Sequence, residues 1–371
     1  MSSFIRHGLA LATMLLASAT TATAQVNSDR FELHGAINTA YGRSLELPVL
    51  GLPSYGTTDY RNLMLQIRYH AADRDQIVVQ LLNRRLGTSP LQAALPDVAL
   101  HWGYYQRRGD WGTIKVGRAP MPRGLFNETR FVGTVLPLYR PSFEIYGEGR
   151  ETVDGLVLSR TFRFGGGTAV QAHGFFGSNE VRTQVVTATG NSIRAFRGDR
   201  LGGAQLWLQL PFYDTRFGVY GAHYDINSAS PPGERGEYLF SAETKLPKLT
   251  ARAEALRIYG QGPNQDRRSS TGQLVGHVQE WLDVVGEYSM TRNVVFQTAP
   301  LQNVDVTATR DIAAGVTVKL PSGGLVRLER HEVRGFAFDR VVPFLTTAAG
   351  VTTVANPSRT SYWLVSYAYS F

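Results

Sequence analysis

Apolar and polar residues alternate along this chain in short stretches that recur from one end to the other. In YRNLMLQIRYH (60–70), Leu63, Leu65, Ile67 and Tyr69 fall on one face, and Asn62, Gln66 and Arg68 on the other. DQIVVQLLNRR (75–85) sets Ile77, Val79 and Leu81 against Gln80 and Arg84. A period of two places one face of a strand in an apolar medium and the other in a polar one. Sixteen such segments can be laid out: 31–43, 60–70, 75–85, 98–108, 111–118, 152–163, 168–177, 200–210, 215–225, 237–246, 249–259, 272–281, 284–297, 307–320, 325–336 and 359–371. Only 152–163 leaves its faces ambiguous, because Arg160 shares parity with Leu156, Leu158 and Phe162.

The connections carry a second pattern. Short ones (71–74, 109–110, 164–167, 211–214, 247–248, 282–283, 321–324) alternate strictly with long ones (44–59, 86–97, 119–151, 178–199, 226–236, 260–271, 298–306, 337–358). A soluble all-β array has no reason to segregate turn length by side. A transmembrane antiparallel up-and-down β-barrel of 16 strands does, with short turns at one rim and long loops at the other. Tyr69, Trp102, Tyr104, Trp363 and Tyr367 then read as outward aromatics near strand ends, suited to an interfacial girdle or simply to strands.

One stretch breaks the alternation. From Gly117 to Gly149, Pro120, Pro122, Pro137 and Pro141 remove ladder donors, and Gly124, Gly133 and Gly147 punctuate the run. Its Leu, Phe, Val, Ile and Tyr content argues against disorder, so the insertion 119–151 is expected to pack against something.

Composition agrees with a barrel in a membrane. The chain has 38 Gly, 18 Phe and 17 Tyr, only 18% charged residues, and no cysteine, which excludes disulfides and thiolate metal sites. Residues 1–24 read as a secretory signal peptide, with Arg6 and His7, the apolar run LALATMLLASA and a small-x-small end at Ala22-Thr23-Ala24; the alternative is an N-terminal anchor. Residues 25–371 form the barrel, and beyond residue 24 no apolar run is long enough for a spanning helix. The formal charge of +8 is carried almost wholly by arginine, since lysine occurs only at 115, 245, 248 and 319. Arginine forks onto carboxylates and phosphates, so anionic solutes or anionic headgroups are the implied partners, unless the bias is merely compositional.

Other chemistries find little support. The histidines are scattered without metal-ligand spacing, no Gly-x-Ser-x-Gly elbow occurs, and Gly165-Gly166-Gly167 reads as a hairpin turn. Arg327, Glu329 and His331 share one strand face, a weak hint of a relay. No cofactor, metal or nucleic-acid partner is implied.

The final segment, SYWLVSYAYSF, places Trp363, Val365, Tyr367, Tyr369 and Phe371 on one face and ends on Phe371. It resembles the terminal strand of Gram-negative outer-membrane porins, in which the last aromatic residue is read by the barrel-assembly machinery. The resemblance implies a homotrimer in the outer membrane whose third long loop folds into the lumen as a constriction. Here that loop is 119–151, and its start, GRAPMPRGLFNETR, is similar to a glycine-and-proline-led loop start in porin-like families.

A pore selects by diameter and by the charges at its narrowest part. Parity turns Arg68, Arg84, Arg107 and Lys115 inward from strands two to five, a positive wall, whereas later strands offer Glu243, Arg252, Glu254, Glu287, Arg327 and Glu329. The loop adds Arg123, Glu128, Arg130, Arg140, Glu144 and Glu148. In the family resembled, acidic loop residues face a basic wall, a part open here to Glu128, Glu144 and Glu148. The three loop arginines depart from that pattern and imply an eyelet that prefers anions. Arg182, Arg194, Arg197, Arg267 and Arg268, in two other long connections, suit lipopolysaccharide phosphates or plain hydration. The expectation is a non-enzymatic channel for passive diffusion of small hydrophilic solutes. Its alternatives are a selective channel for organic acids, an outer-membrane lipase or protease, and a structural barrel with a blocked lumen.

Overall fold

Each of the sixteen alternating segments is a strand, because each can satisfy its backbone only through neighbours while presenting one apolar and one polar face. The computed structural model describes residues 30–187, 190–226, 233–260, 266–295, 304–343, 345–348 and 350–371; the expected signal peptide lies outside them. The barrel strands are β1 (Phe31–Ser44), β2 (Thr57–Ala72), β3 (Asp75–Leu86), β4 (Ala99–Gly109), β5 (Gly112–Pro120), β6 (Thr152–Arg163), β7 (Ala169–Thr187) and β8 (Gly190–Gln209). They continue as β9 (Arg216–Ile226), β10 (Gly233–Leu246), β11 (Leu249–Gly260), β12 (Asp266–Gln279), β13 (Leu282–Val295), β14 (Val304–Lys319) and β15 (Leu325–Gly335). A two-stranded hairpin, β16 (Leu345–Ala348) and β17 (Val351–Val354), lies in the last long loop before the final barrel strand β18 (Ser358–Ser370).

All sixteen barrel strands pair antiparallel with their sequence neighbours, and β1 closes the ring against β18 from Ala36–Ser370 to Ser44–Tyr362. The closure ends on Phe371, whose backbone exchanges hydrogen bonds of 2.9 and 3.0 Å with Gly35. Its ring occupies the space beside Gly35 where a side chain would stand, within 2.3 Å of a Cβ position, so any larger residue there would displace the ring. Closure leaves the barrel sheet without a free edge, the condition for strands in lipid. The outer face exposes Leu63, Leu65, Ile67 and Ile77, while Gln66, Gln80 and Arg84 on the same strands are buried within the ring. Arg160 takes the outer face, its guanidinium 4.9 Å from the centre of the Phe162 ring.

Two expectations change. The connection 178–199 is largely not a loop: β7 and β8 continue past the barrel, paired from Asn179–Gly198 to Thr187–Gly190. Beyond the membrane neither face must be apolar, so alternation fades although β-branched residues (Val181, Thr183, Val185, Val186) persist. The second change lies in β4, where the register slips between Gln80–Trp102 and Leu81–Leu100. The extra residue, His101, is a bulge that reverses the faces of the rest of the strand. Trp102 and Tyr104 are therefore buried on the inside, and Tyr105 is exposed on the outside. Arg107 shares the face of Tyr105 and binds Asp75 (3.5 Å) at the short-turn rim, so it does not belong to the inner wall. Arg108 takes that place.

Candidate functional site

Residues 121–151 leave β5 and cross the interior of the barrel, touching inward side chains of strands on widely separated parts of the wall. Its positive-φ glycines set its path. Gly124 (φ +62°) lets the chain turn beside Glu254, and Gly149 (φ +79°) lets it pass against the backbone of Arg182 on its way to β6. A single helical turn, α1 (Phe143–Tyr146), lies between them.

Polar side chains of the wall hold the loop by its backbone. On β11 the Glu254 carboxylate accepts from Leu125 N (3.0 Å) and from the Tyr146 hydroxyl (2.7 Å). On β15 the Arg327 guanidinium donates to the carbonyls of Gly133 and Leu136, and Glu329 accepts from Tyr139 N (2.6 Å). Asn38 of β1 donates to Tyr139 O (3.0 Å), and Thr317 of β14 to Pro137 O (3.2 Å). A prolonged irregular segment exposes many backbone donors and acceptors, and these inward Asn, Thr, Arg and Glu side chains satisfy them. Apolar contacts complete the seat: Leu138 packs with Val275, Val285 and Ala313, and Tyr139 joins the cluster that includes Tyr60 and Tyr362.

Two ion-pair groups and one hydrogen-bonded carboxylate fix the loop's charges. Glu148 receives both arms of Arg84 from β3, one at 2.7 Å, and the Arg140 guanidinium at 3.0 Å; Arg130 stands 3.8 Å away. Burial pushes the Glu148 carboxyl up, but Arg84, Arg130 and Arg140 together outweigh it and hold it down at about 2. Arg130 is also held by Gly147 O (2.6 Å) and Glu151 (3.4 Å), and the Phe131 ring lies under both Arg84 and Arg130, 5.1 and 5.2 Å from their guanidinium carbons. On β10, Glu237 binds Arg150 (2.9 Å) and Arg123 (3.5 Å). Glu144 is hydrogen-bonded by Ser142 (3.1 Å) and by Ser289 of β13 (3.0 Å); burial and the nearby Asp311 charge push its carboxyl up.

The expected site residues therefore separate into two sets. Arg84, Arg123, Arg130, Arg140, Glu144 and Glu148 are spent on seating the loop, all of them buried apart from the half-buried Arg140. Arg123 borders the cavity between the loop and β7–β11, but the loop arginines form no positive ring around open space, and Glu144 faces β13 rather than the basic wall. Arg68, Lys115 and Glu128 remain beside water-accessible volume. One cavity of about 580 Å³ lies between the loop and β1–β5, with Arg68, Arg108, Lys115 and Glu128 on its walls. A second, of about 390 Å³, lies between the loop and β7–β11, where Arg216, Lys245, Arg252 and Glu243 meet His173 and again Glu128. Glu128 and Thr129 border both cavities, and Glu128 is exposed.

Sequence parity missed Arg108, which the bulge turns inward, and did not single out Arg216, Lys245 or His173. Nor did it pair Arg150 with Glu237, although Glu237 is an inward carboxylate of β10 opposite the returning end of the loop. Arg182 contributes its backbone, donating to Glu148 O (3.0 Å), and Arg267 donates to Glu144 O (2.9 Å), so both serve the loop seat. Arg197 binds Asp199 (2.9 Å) and Arg268 binds Asp266 (2.6 Å). The side chain of Arg194 lies outside the described residues.

No protein-family model and no curated protein matches the chain in sequence. Solved structures match it along nearly its whole length. The anion-selective porin from Comamonas acidovorans superposes with a TM-score of 0.59 at 12% identity, over 92% of this chain and 99% of that one. Outer-membrane expressed OmpT of Vibrio cholerae gives 0.57 at 10%, over 93% and 99%. The outer membrane channel DcaP of Acinetobacter baumannii gives 0.56 at 9%, over 92% and 99%. At such identities the likeness is one of fold: the chain has the porin-type barrel of Gram-negative outer membranes.

Proposed function

We propose that this chain is an outer-membrane channel through which small hydrophilic solutes diffuse passively, with a bias toward anions, and that residues 119–151 form its constriction. The observation that carries the reading is the pair of polar cavities meeting at Glu128 and Thr129, whose charged lining residues are mainly cationic. Arg68, Arg108 and Lys115 stand along the first and Arg216, Lys245 and Arg252 along the second, against the carboxylates Glu128 and Glu243. Glu243 is engaged by Arg216 (2.9 Å) and Arg252 (2.6 Å), so Glu128 is the acidic group left facing the water path. A lumen with this balance favours entry of anions and opposes cations.

The channel needs no covalent step or cofactor. Small organic acids are the solute class that the arginine-lined walls suit best, because guanidinium groups bind carboxylates in a bidentate fork. Trimer formation, recognition of Phe371 by the assembly machinery and contact with lipopolysaccharide belong to the same reading.

Planar-bilayer recording of the purified chain tests it. The expected result is ohmic conductance whose reversal potential in a salt gradient leans toward chloride. An insulating barrel, or a cation-leaning potential, would overturn the proposal.

A further inference from the structure

Cross-strand neighbours of like charge destabilise a sheet, yet three rows of arginines lie side by side on the outer face near the long-loop rim. Two are neutralised within the protein. Arg61 is opposite Arg85, and Asp59 binds both, at 3.1 and 2.7 Å. Arg257, Arg268 and Arg292 are successive partners across β11, β12 and β13. Asp266 binds the first two (2.9 and 2.6 Å), and Asp305 the third (2.8 Å).

The third row has no such compensation. Arg310 of β14 is opposite Arg334 of β15, which is opposite Arg359 of β18, and all three are exposed. Among the described residues they form no ion pair; Arg310 has only the Tyr288 ring, 5.4 Å from its guanidinium carbon. Two grooves flank the row and share Arg310 and Arg334: one of about 350 Å³ toward Glu46 and Glu332, one of about 300 Å³ toward Asp305 and Pro357. Glu332 is held by Arg330 (2.8 Å) and Asp305 by Arg292, which leaves Glu46 as the one acidic side chain on either groove without an ion pair among the described residues.

Height completes the argument. The next two rows toward the short-turn side run Tyr288, Ile312, Glu332, Ser361 and then Ala314, Arg330, Trp363, with Arg330 and Glu332 paired to each other; beneath them the outer face carries Val316, Leu328 and Val365. The arginines thus stand above a band that is apolar and aromatic on β14 and β18, crossed on β15 by the internally paired Arg330 and Glu332, at the level where a membrane's headgroups begin. Resting on the outer-membrane reading above, we infer that the ridge Arg310–Arg334–Arg359 and its two grooves seat the phosphates of a phosphorylated glycolipid of the outer leaflet, with its acyl chains along the apolar residues of β14 and β18 beneath. Guanidinium groups fork onto phosphate oxygens, and a bound polyanion removes the mutual repulsion that the row otherwise carries.

The test loads the purified full-length barrel with bisphosphorylated lipid A and counts bound lipid by native mass spectrometry. R310Q/R334Q/R359Q is compared with wild type and with R107Q/R160Q/R163Q, which removes three arginines near the other rim; each must keep the heat-modifiable gel migration of a folded barrel. Wild type and the control triple are expected to retain lipid A alike, and the ridge triple roughly a hundredfold less, each surface arginine contributing of the order of fivefold. Equal retention by the ridge triple would overturn the inference. So would wild-type retention of dephosphorylated lipid A to the same extent, displacement by inorganic phosphate, or a change of oligomeric state accompanying the loss, which would place the ridge between copies of the chain.

Discussion

Replacing Glu148 by Gln keeps the shape of the loop seat and removes the charge on which Arg84, Arg140 and Arg130 converge, at 2.7, 3.0 and 3.8 Å. Among the described residues the other carboxylate in ion-pair range of this cluster is Glu151, 3.9 Å from Arg84 and 3.4 Å from Arg130. Removing one partner of a buried pair costs about 3–5 kcal/mol, because the remaining charge stays buried and uncompensated. Spent on loop seating, that shifts the ratio of seated to released loop roughly 150- to 5,000-fold. Single-channel recording at pH 7 is expected to show E148Q with larger and noisier open-channel current than wild type. Wild-type conductance and noise in E148Q would refute the claim that this cluster holds the loop.

Protonation gives the same perturbation without a mutation. The ordinary Glu value is 4.5, and that of Glu148 is lowered to about 2. A depressed carboxylate contributes stability that is complete above its unfolded value and is lost as pH falls through its folded one. Wild-type current noise is therefore expected to be flat from pH 7 to 5 and to rise as pH falls from 4.5 toward 2, with E148Q noisy throughout. A wild-type transition centred near pH 6 would assign the anchoring to another group.

The barrel was legible in the sequence because the membrane imposes alternation on every strand, and turn length reports which rim a connection occupies. The loop was legible as an interruption, and within it Glu148 pairs with Arg84 of β3. What parity could not supply is the difference between a charge that faces water and one that faces another side chain. Arg84 and Lys115 look alike in sequence, yet Arg84 is buried against Glu148 while Lys115 borders the cavity, 5.4 Å from the Tyr104 ring centre. The wall residues Glu254, Arg327 and Glu329 read as lumen charges and instead bind loop backbone. Deleting the whole loop is thus a poor probe of constriction, since it strands all of these groups together.

Three further outcomes follow from single side chains. Glu254→Ala leaves Leu125 N and the Tyr146 hydroxyl without their acceptor, at about 1–3 kcal/mol for each unsatisfied group, so the heat-modification midpoint of the barrel should fall; an unchanged midpoint would deny the anchor. Glu128→Gln removes the exposed carboxylate common to both cavities and should move the reversal potential further toward chloride, whereas a shift toward potassium would contradict its place on the water path. The sharpest comparison is between neighbours in sequence. Arg107→Glu and Arg108→Glu change net charge equally, and plain alternation from Leu100 assigns the lumen to Arg107. The His101 bulge reverses that assignment, placing Arg108 on the cavity wall with Lys115 and leaving Arg107 with Asp75 at the outer rim. R108E should therefore shift selectivity toward cations while R107E leaves the reversal potential where it was; the opposite ranking would show that the faces of β4 are set by alternation and that the bulge does not reverse them.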